Sequence, residues 1–252
     1  MSSHATKWVL RTGIILLALY LILLVVVCLI QRSLLFFPTH LTRAGALTPW
    51  RDGLRTIGFC RKVPGARTVW LMMHGNAGQA ADREYVLSRM SDQDSLYVLE
   101  YPGYGLREGS PSRDSMDQAA AQAYQLLRSQ YPNTPVCVLG ESVGSGPACA
   151  LALQKVPPDK IVLVVPFDTL ASVAAEHLRI LPAGLMLRDR WDNVATLRHF
   201  TGPVDIYGAT GDGVIPIKHA KALAKKVPGA RFIEIEGGHN DWASSSQVKI
   251  TR

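Results

Sequence analysis

The first run in the hydropathy pattern is the longest. Gly13 to Ile30 is eighteen residues without a charge. As a helix it would be about 27 Å long, against a hydrocarbon core of about 30 Å. Adding residues from Trp8 closes the gap, with Arg11 able to snorkel. A secretory leader would have a shorter apolar run followed by small residues at a cleavage site, and here Gln31-Arg32-Ser33-Leu34 follows. Residues 8–30 are therefore expected to be a transmembrane anchor. Beyond it the pattern changes. Short, wholly apolar runs alternate with longer amphipathic ones from Thr68 to Trp242. Strands are expected at Thr68–Met73, Ser95–Glu100, Pro135–Gly140, Lys160–Val165, Pro203–Tyr207 and Arg231–Glu236. Helices are expected at Gln79–Met90, Ser112–Ser129, Gly146–Lys155 and Ile217–Val227. Strands apolar on both faces that alternate with helices define a parallel sheet covered on both sides. The class is α/β, doubly wound and mostly parallel.

One interval breaks this rhythm. Thirty-five residues separate Pro166 from Gly202 and contain no strand. A small helical insertion is expected over about 167–202. The chain thus divides into a tail and anchor (1–30), a juxtamembrane segment with the first strands (31–67), and an α/β domain (68–252).

Charge sharpens this division. Residues 1–67 hold nine Lys/Arg and one acid, and residues 68–252 hold eighteen and nineteen. The body is near neutral, without the basic, aromatic-interleaved face of a nucleic-acid binder. No nucleic-acid partner is expected. The positive charges flanking the span, Lys7 and Arg11 before it and Arg32 and Arg43 after it, nearly balance. The short tail is placed on the cytoplasmic side and the large domain across the membrane, in a single-pass arrangement. Leu34 to Phe37, with Arg32, Arg43 and Arg51, suits an anionic lipid surface and equally suits packing beneath the domain. The four cysteines are far apart, with no CxxC pair and no His/Cys cluster, so neither a metal nor a disulfide framework is expected.

Ligand sites in such sheets lie at strand carboxyl ends. After the strand ending at Leu139 comes Gly140-Glu141-Ser142-Val143-Gly144, or G-x-S-x-G. Its glycines permit a sharp strand-to-helix turn that lifts the Ser142 hydroxyl out of the sheet. A serine needs a base, and the base an orienting acid. Asp212 follows the candidate strand ending at Tyr207 and His239 follows the last one, in that order, and they are assigned those roles. Asp168 is the reserve acid and the expected helix cap of the insertion. The backbone N–H groups of Asn76 and Val143 are assigned to a developing oxyanion. His74 is read as bracing its loop. No cofactor is expected: there is no Walker A, and Gly103-Tyr104-Gly105 is followed by Gly109 one residue too late for a dinucleotide fingerprint.

Ser142, Asp212 and His239, with His74-Gly75-Asn76-Ala77-Gly78, resemble the α/β-hydrolase superfamily. More narrowly, the chain is similar to the single-pass, membrane-anchored serine hydrolases of the alpha/beta-hydrolase-domain group. The motifs shared are Gln31-Arg32 through Pro38, Tyr101-Pro102-Gly103-Tyr104-Gly105, Pro166-Phe167-Asp168, Asp189-Arg190-Trp191-Asp192-Asn193, Asp212 to Pro216 and Gly238-His239-Asn240-Asp241. The resemblance implies a metal-free esterase, thioesterase or lysophospholipase-like enzyme acting on acyl lipids or acyl proteins. A peptidase or amidase using the same three residues, and a non-catalytic membrane-tethered scaffold, are the alternatives. One feature departs from the group. Such domains usually close with a helix, whereas only thirteen residues follow His239, and Ala243-Ser244-Ser245-Ser246 does not read as one.

Overall fold

A computed structural model describes residues 2–41 and 45–252. Arg43, expected near the lipid surface, lies outside them. Helix α1 (Ser2–Leu35) is continuous, and its Thr6–Leu35 stretch is long and apolar enough to cross a membrane. Two-residue pairing of Phe37–Pro38 with Ala77–Gly78 then ties the end of α1 to the loop after the third strand. Phe36 is buried in the core, and Phe37 is half-exposed.

The eight strands of the main sheet are β1 (Thr48–Asp52), β2 (Arg55–Arg61), β3 (Val69–Met73), β4 (Ser95–Leu99), β5 (Val136–Glu141), β6 (Ile161–Val164), β7 (Val204–Ala209) and β8 (Arg231–Ile235). Their order is β8-β7-β6-β5-β3-β4-β2-β1. β1 pairs antiparallel with β2, and β2 with β4. The remaining pairs are parallel. The period-2 geometry of a strand splits each apolar run between two cores. Val69, Leu71 and Met73 pack on one face, and Trp70 and Met72 on the other.

The first face is covered by α2 (Arg113–Gln130), α3 (Ser145–Ala150) and α7 (Ile217–Lys226), through residues such as Met116, Tyr124, Ala148 and Leu223. Helix α2 begins in a reciprocal cap. Ser112 Oγ accepts from the Ser115 N–H at 3.1 Å, and Ser115 Oγ accepts from the Ser112 N–H at 3.0 Å.

The expected helix at Gln79–Met90 is instead 3₁₀ turns over Ala80–Arg89, kinked at Arg83. Only Ala80 and Val86 are buried there, so there is no apolar stripe to impose a regular α-helix. Polar anchors act in its place. The Ala80 N–H donates to Glu100 (3.0 Å), and Arg83 reaches the Ala77 carbonyl and the Tyr85 hydroxyl. The expected helix to Lys155 also ends early, as a 3₁₀ turn at Leu151–Leu153.

After β8 the chain makes a short 3₁₀ turn at Trp242–Ser244 and continues along the second face of the sheet. Trp242, Val248 and Ile250 are buried against it. The Ile250 N–H donates to the Arg89 carbonyl at 2.8 Å, and the Tyr207 hydroxyl donates to the Lys249 carbonyl at 2.9 Å. Within the insertion lie α4 (Leu170–His177), α5 (Ala183–Met186) and α6 (Asn193–Leu197). A bridge between Thr169 and Asp192 draws together the starts of α4 and α6.

Candidate active site

The strand β5 runs into Ser142 through a turn that two glycines make possible. A Cβ on Gly140 would lie 2.7 Å from Ala148 Cβ, and one on Gly144 would overlap the Met73 carbonyl oxygen. Ser142 itself has φ +53°, a left-handed conformation uncommon for a residue with a side chain. Such strain persists only where surrounding structure fixes it. Here the Ser145 hydroxyl donates to the Ser142 carbonyl at 2.6 Å, and Asn193 Nδ2 of the insertion donates to Ser145 Oγ at 3.1 Å.

Ser142, His239 and Asp212 come together from three strand ends. His239 Nε2 is 2.8 Å from Ser142 Oγ, and His239 Nδ1 is 2.7 Å from Asp212 Oδ2. The other oxygen of Asp212 accepts the backbone N–H groups of Val214 (2.8 Å) and Ile215 (2.7 Å). That carboxylate is buried and held on both sides, so its orientation toward the imidazole is fixed. The ring in turn is restricted to the tautomer with Nδ1–H toward Asp212, which leaves Nε2 to accept from the serine hydroxyl.

The loop His74-Gly75-Asn76 passes close to this serine. A Cβ on Gly75 would stand 3.7 Å from Ser142 Cβ. The Asn76 side-chain amide donates to the Leu35 carbonyl at 2.9 Å, and the Asn76 backbone carbonyl accepts from the Phe37 N–H and the Tyr104 hydroxyl. The loop is thereby fastened to the end of α1. Tyr101 donates to the His74 carbonyl at 2.8 Å, so both tyrosines of Tyr101-Pro102-Gly103-Tyr104-Gly105 brace it. The His74 ring packs against them, with centroids 4.4 Å and 5.5 Å away. Burial pushes its pKa down, and it braces the loop as an uncharged ring. Val143 follows Ser142 directly and is buried at the start of the helix.

Asp168 does not join the group. It accepts from the Thr169 N–H (2.6 Å) and the Ser172 hydroxyl (2.6 Å), and it lies 2.8 Å from His219 Nδ1 on α7. The cap of α4 is Thr169, one residue later than expected. Asp168 instead clamps α4 to α7 through His219, whose Nε2 is 3.0 Å from Glu176.

Glu141 went unassigned in the sequence. Its buried carboxylate accepts from Gly75 N–H (3.2 Å), Tyr85 hydroxyl (2.9 Å) and Trp242 Nε1 (3.0 Å). Burial and the adjacent Glu141 push the Tyr85 phenol up, so it remains a donor. A charge at the end of an apolar strand was the available signal, since a buried carboxylate requires partners. Among the described residues no group of three or more His, Cys, Asp or Glu is arranged to hold a metal ion.

The strand order, the strained serine turn and the three side chains at strand ends define an α/β-hydrolase fold. No family model matches the chain. An uncharacterized protein of Mycobacterium tuberculosis is 30% identical over 228 residues, covering 84% of this chain and 81% of that protein. Lysophosphatidylserine lipase ABHD12 of Danio rerio is 30% identical over 175 residues, 62% of this chain and 46% of the lipase. Alpha/beta hydrolase domain-containing protein 17C of Xenopus laevis is 30% identical over 192 residues, 73% of this chain and 59% of the relative. The chain therefore spans about half to three-fifths of the length of these last two. Among solved structures, a Pyrococcus furiosus esterase superposes with a TM-score of 0.61 at 12% identity, covering 83% of this chain and 94% of its own. An esterase from Exiguobacterium antarcticum gives 0.56 at 17% identity, covering 73% and 89%. At these identities the likeness is one of fold. The chain belongs to the α/β-hydrolase family, and its chemistry is that of a hydrolase.

Proposed function

We propose that this chain is a membrane-anchored serine hydrolase that cleaves carboxylic esters or thioesters, with acyl lipids or acyl proteins as substrates. The observation that carries the reading is the continuous relay from Ser142 Oγ to His239 Nε2 to Asp212, at 2.8 Å and 2.7 Å. These are hydrogen-bond distances suited to proton transfer without rearrangement. Ser142 Oγ attacks the acyl carbonyl carbon as its proton passes to His239. The backbone N–H groups of Val143 and Asn76 stabilise the oxyanion. The tetrahedral species collapses, and the leaving alcohol or thiol takes the proton from His239. Water then attacks the acyl-enzyme by the same route, releasing the acid and restoring Ser142. Asp212 holds the imidazole and stabilises its protonated form.

The anchor is residues 8–30, with the hydrolase domain at 68–252 and its cap at about 167–202. The apolar α1 span supports single-pass anchoring, and the tail is placed on the cytoplasmic side. An acyl-lipid substrate draws support from the lysophosphatidylserine lipase among the relatives. Labelling of detergent-solubilised membranes with a fluorophosphonate probe tests the chemistry. Wild type is expected to label, and Ser142→Ala and His239→Ala are not. Absence of labelling in folded wild type would favour a non-catalytic scaffold.

A further inference from the structure

The insertion does not stand clear of α1. Tyr20, in the middle of the apolar span, donates its hydroxyl to the Ile180 carbonyl at 2.9 Å. Gln31, two-sided, donates to the Met186 carbonyl (3.4 Å) and accepts from the Arg188 N–H (2.7 Å). Arg32 grips Asp189 with two bonds, 2.8 Å and 3.1 Å. A narrow apolar gap between Val27 and Leu178, Leu181 and Met186 follows the same seam. The insertion therefore runs along α1 from Arg32 back to Tyr20. Twelve helical positions correspond to about 18 Å, comparable to one leaflet of a hydrocarbon core about 30 Å thick.

The chemistry of this tip matches that depth. Ile180 and Leu185 are among its outermost side chains, 77% and 81% exposed. A segment in hydrocarbon must satisfy its own backbone. Leu181, Ala183, Leu185, Met186 and Leu187 each donate their N–H to a carbonyl within the tip. The Ile180 carbonyl is met by Tyr20, and those of Leu185 and Leu187 by Arg190. Arg188 and Arg190 lie level with Gln31 and Arg32, where headgroups would be. Neither has a carboxylate partner among the described residues, whereas Asp189 between them is taken by Arg32 and the Arg113 N–H. Arg179, nearer the tip, reaches back to the Glu176 carbonyl (3.4 Å), the direction in which a long cationic side chain snorkels.

We infer that the insertion tip, residues 178–187, is seated in the bilayer leaflet beside α1, with Arg188 on anionic headgroups. The same insertion borders the serine site, since His177 Nε2 donates to the Val214 carbonyl at 2.8 Å and Asn193 holds Ser145. A lipid-borne acyl ester would thus approach Ser142 from the membrane. This inference rests on reading α1 as an anchor.

The test uses the full chain in a Cys28→Ser background, reconstituted into phosphatidylcholine–phosphatidylserine vesicles. An environment-sensitive fluorophore is attached at Leu185→Cys, at Leu16→Cys in the span, or at Leu54→Cys. Leu54 is 98% exposed between β1 and β2. Lipids spin-labelled on the acyl chain are expected to quench the Leu185 and Leu16 labels and spare the Leu54 label. Aqueous iodide is expected to do the reverse. Iodide quenching at Leu185 with lipid quenching at Leu16 would overturn the seated tip and leave the anchor intact. Iodide quenching at both would overturn the tip and the anchor together.

Discussion

The indole N–H of Trp242 lies 3.0 Å from Glu141 Oε1, one residue before the serine. Through this bond the segment after His239 is tied to the Ser142 turn, and Gly75 and Tyr85 converge on the same carboxylate. Glu141→Gln keeps the shape but presents an NH₂ group to a site built from donors. It is expected to cost about 2–3 kcal/mol, the scale of leaving buried hydrogen-bonding groups unmatched. Trp242→Phe removes one donor and keeps most of the packing, so its loss should be about 1 kcal/mol. Thermal melts of the detergent-solubilised chain measure both. Equal melting of Glu141→Gln and wild type would show that the carboxylate does not organise the turn.

A second prediction concerns the turn itself. A Cβ on Gly144 would lie 2.5 Å from the His74 carbonyl oxygen and closer still to that of Met73. Both are backbone atoms that cannot swing aside. Gly144→Ala is expected to destabilise by about 1–3 kcal/mol and to slow fluorophosphonate labelling as β3 and β5 are pushed apart. Gly213→Ala is the control. Its added Cβ meets nothing within 4 Å, so stability should stay within about 0.5 kcal/mol.

Much of this architecture was legible along the chain because parallel strands are buried on both faces. Trp70-Leu71-Met72-Met73 and Ile161-Val162-Leu163-Val164 are short, wholly apolar and bounded by breakers, which suits a strand covered on both sides. Once the parallel strands are placed, the carboxyl ends of β5, β7 and β8 bring Ser142, Asp212 and His239 together at one end of the sheet. The less legible parts depend on side-chain partners far away in sequence. Residues 80–89 look helical by composition, yet their conformation is decided by Glu100 and the Ala77 carbonyl. Trp242, Val248 and Ile250 have no regular period, so their closure of the second face could not be read from spacing. Asp168 looked like a helix cap. Its bond to His219, fifty-one positions later, exists only when α4 and α7 are packed together.

That bond predicts a pH dependence. Burial pushes the Asp168 carboxyl up, but hydrogen bonds from Ser172, the Thr169 N–H and His219 outweigh it and hold it below the ordinary carboxylate range. Glu176 and Lys218 are the other charges around the clamp. A carboxyl depressed in the folded state contributes stability that is present above its unfolded pKa of about 3.9 and is lost as pH falls through the folded value. The melting temperature should therefore fall below about pH 4. Asp168→Asn should melt lower than wild type at neutral pH, with the gap narrowing in acid. Asp205, likewise depressed by Arg231 and Lys160 against its burial, contributes an acid limb common to both chains. A gap independent of pH would show that the Asp168 charge is not what joins α4 to α7.

The Arg32–Asp189 pair predicts how the insertion is held. Asp189 is 2% exposed and takes both Arg32 bonds together with the Arg113 N–H (2.7 Å). The arginine side chain is half-exposed, 47%, which screens the attraction. The larger effect of Arg32→Ala comes from leaving a buried carboxylate with one donor. A loss of about 1–2 kcal/mol is expected, between the exposed and buried limits. Arg32→Lys restores the charge but not the two-pronged geometry, so it should recover only part of it. The loss should also be local. Residues 178–190 should exchange backbone hydrogens faster in Arg32→Ala, while β3, β5 and β6 keep their protection, because the sheet core does not depend on this pair. Faster exchange throughout the sheet would instead make Arg32 a general stabiliser. Unchanged exchange in the insertion would mean that the Tyr20 and Gln31 contacts alone hold it to α1.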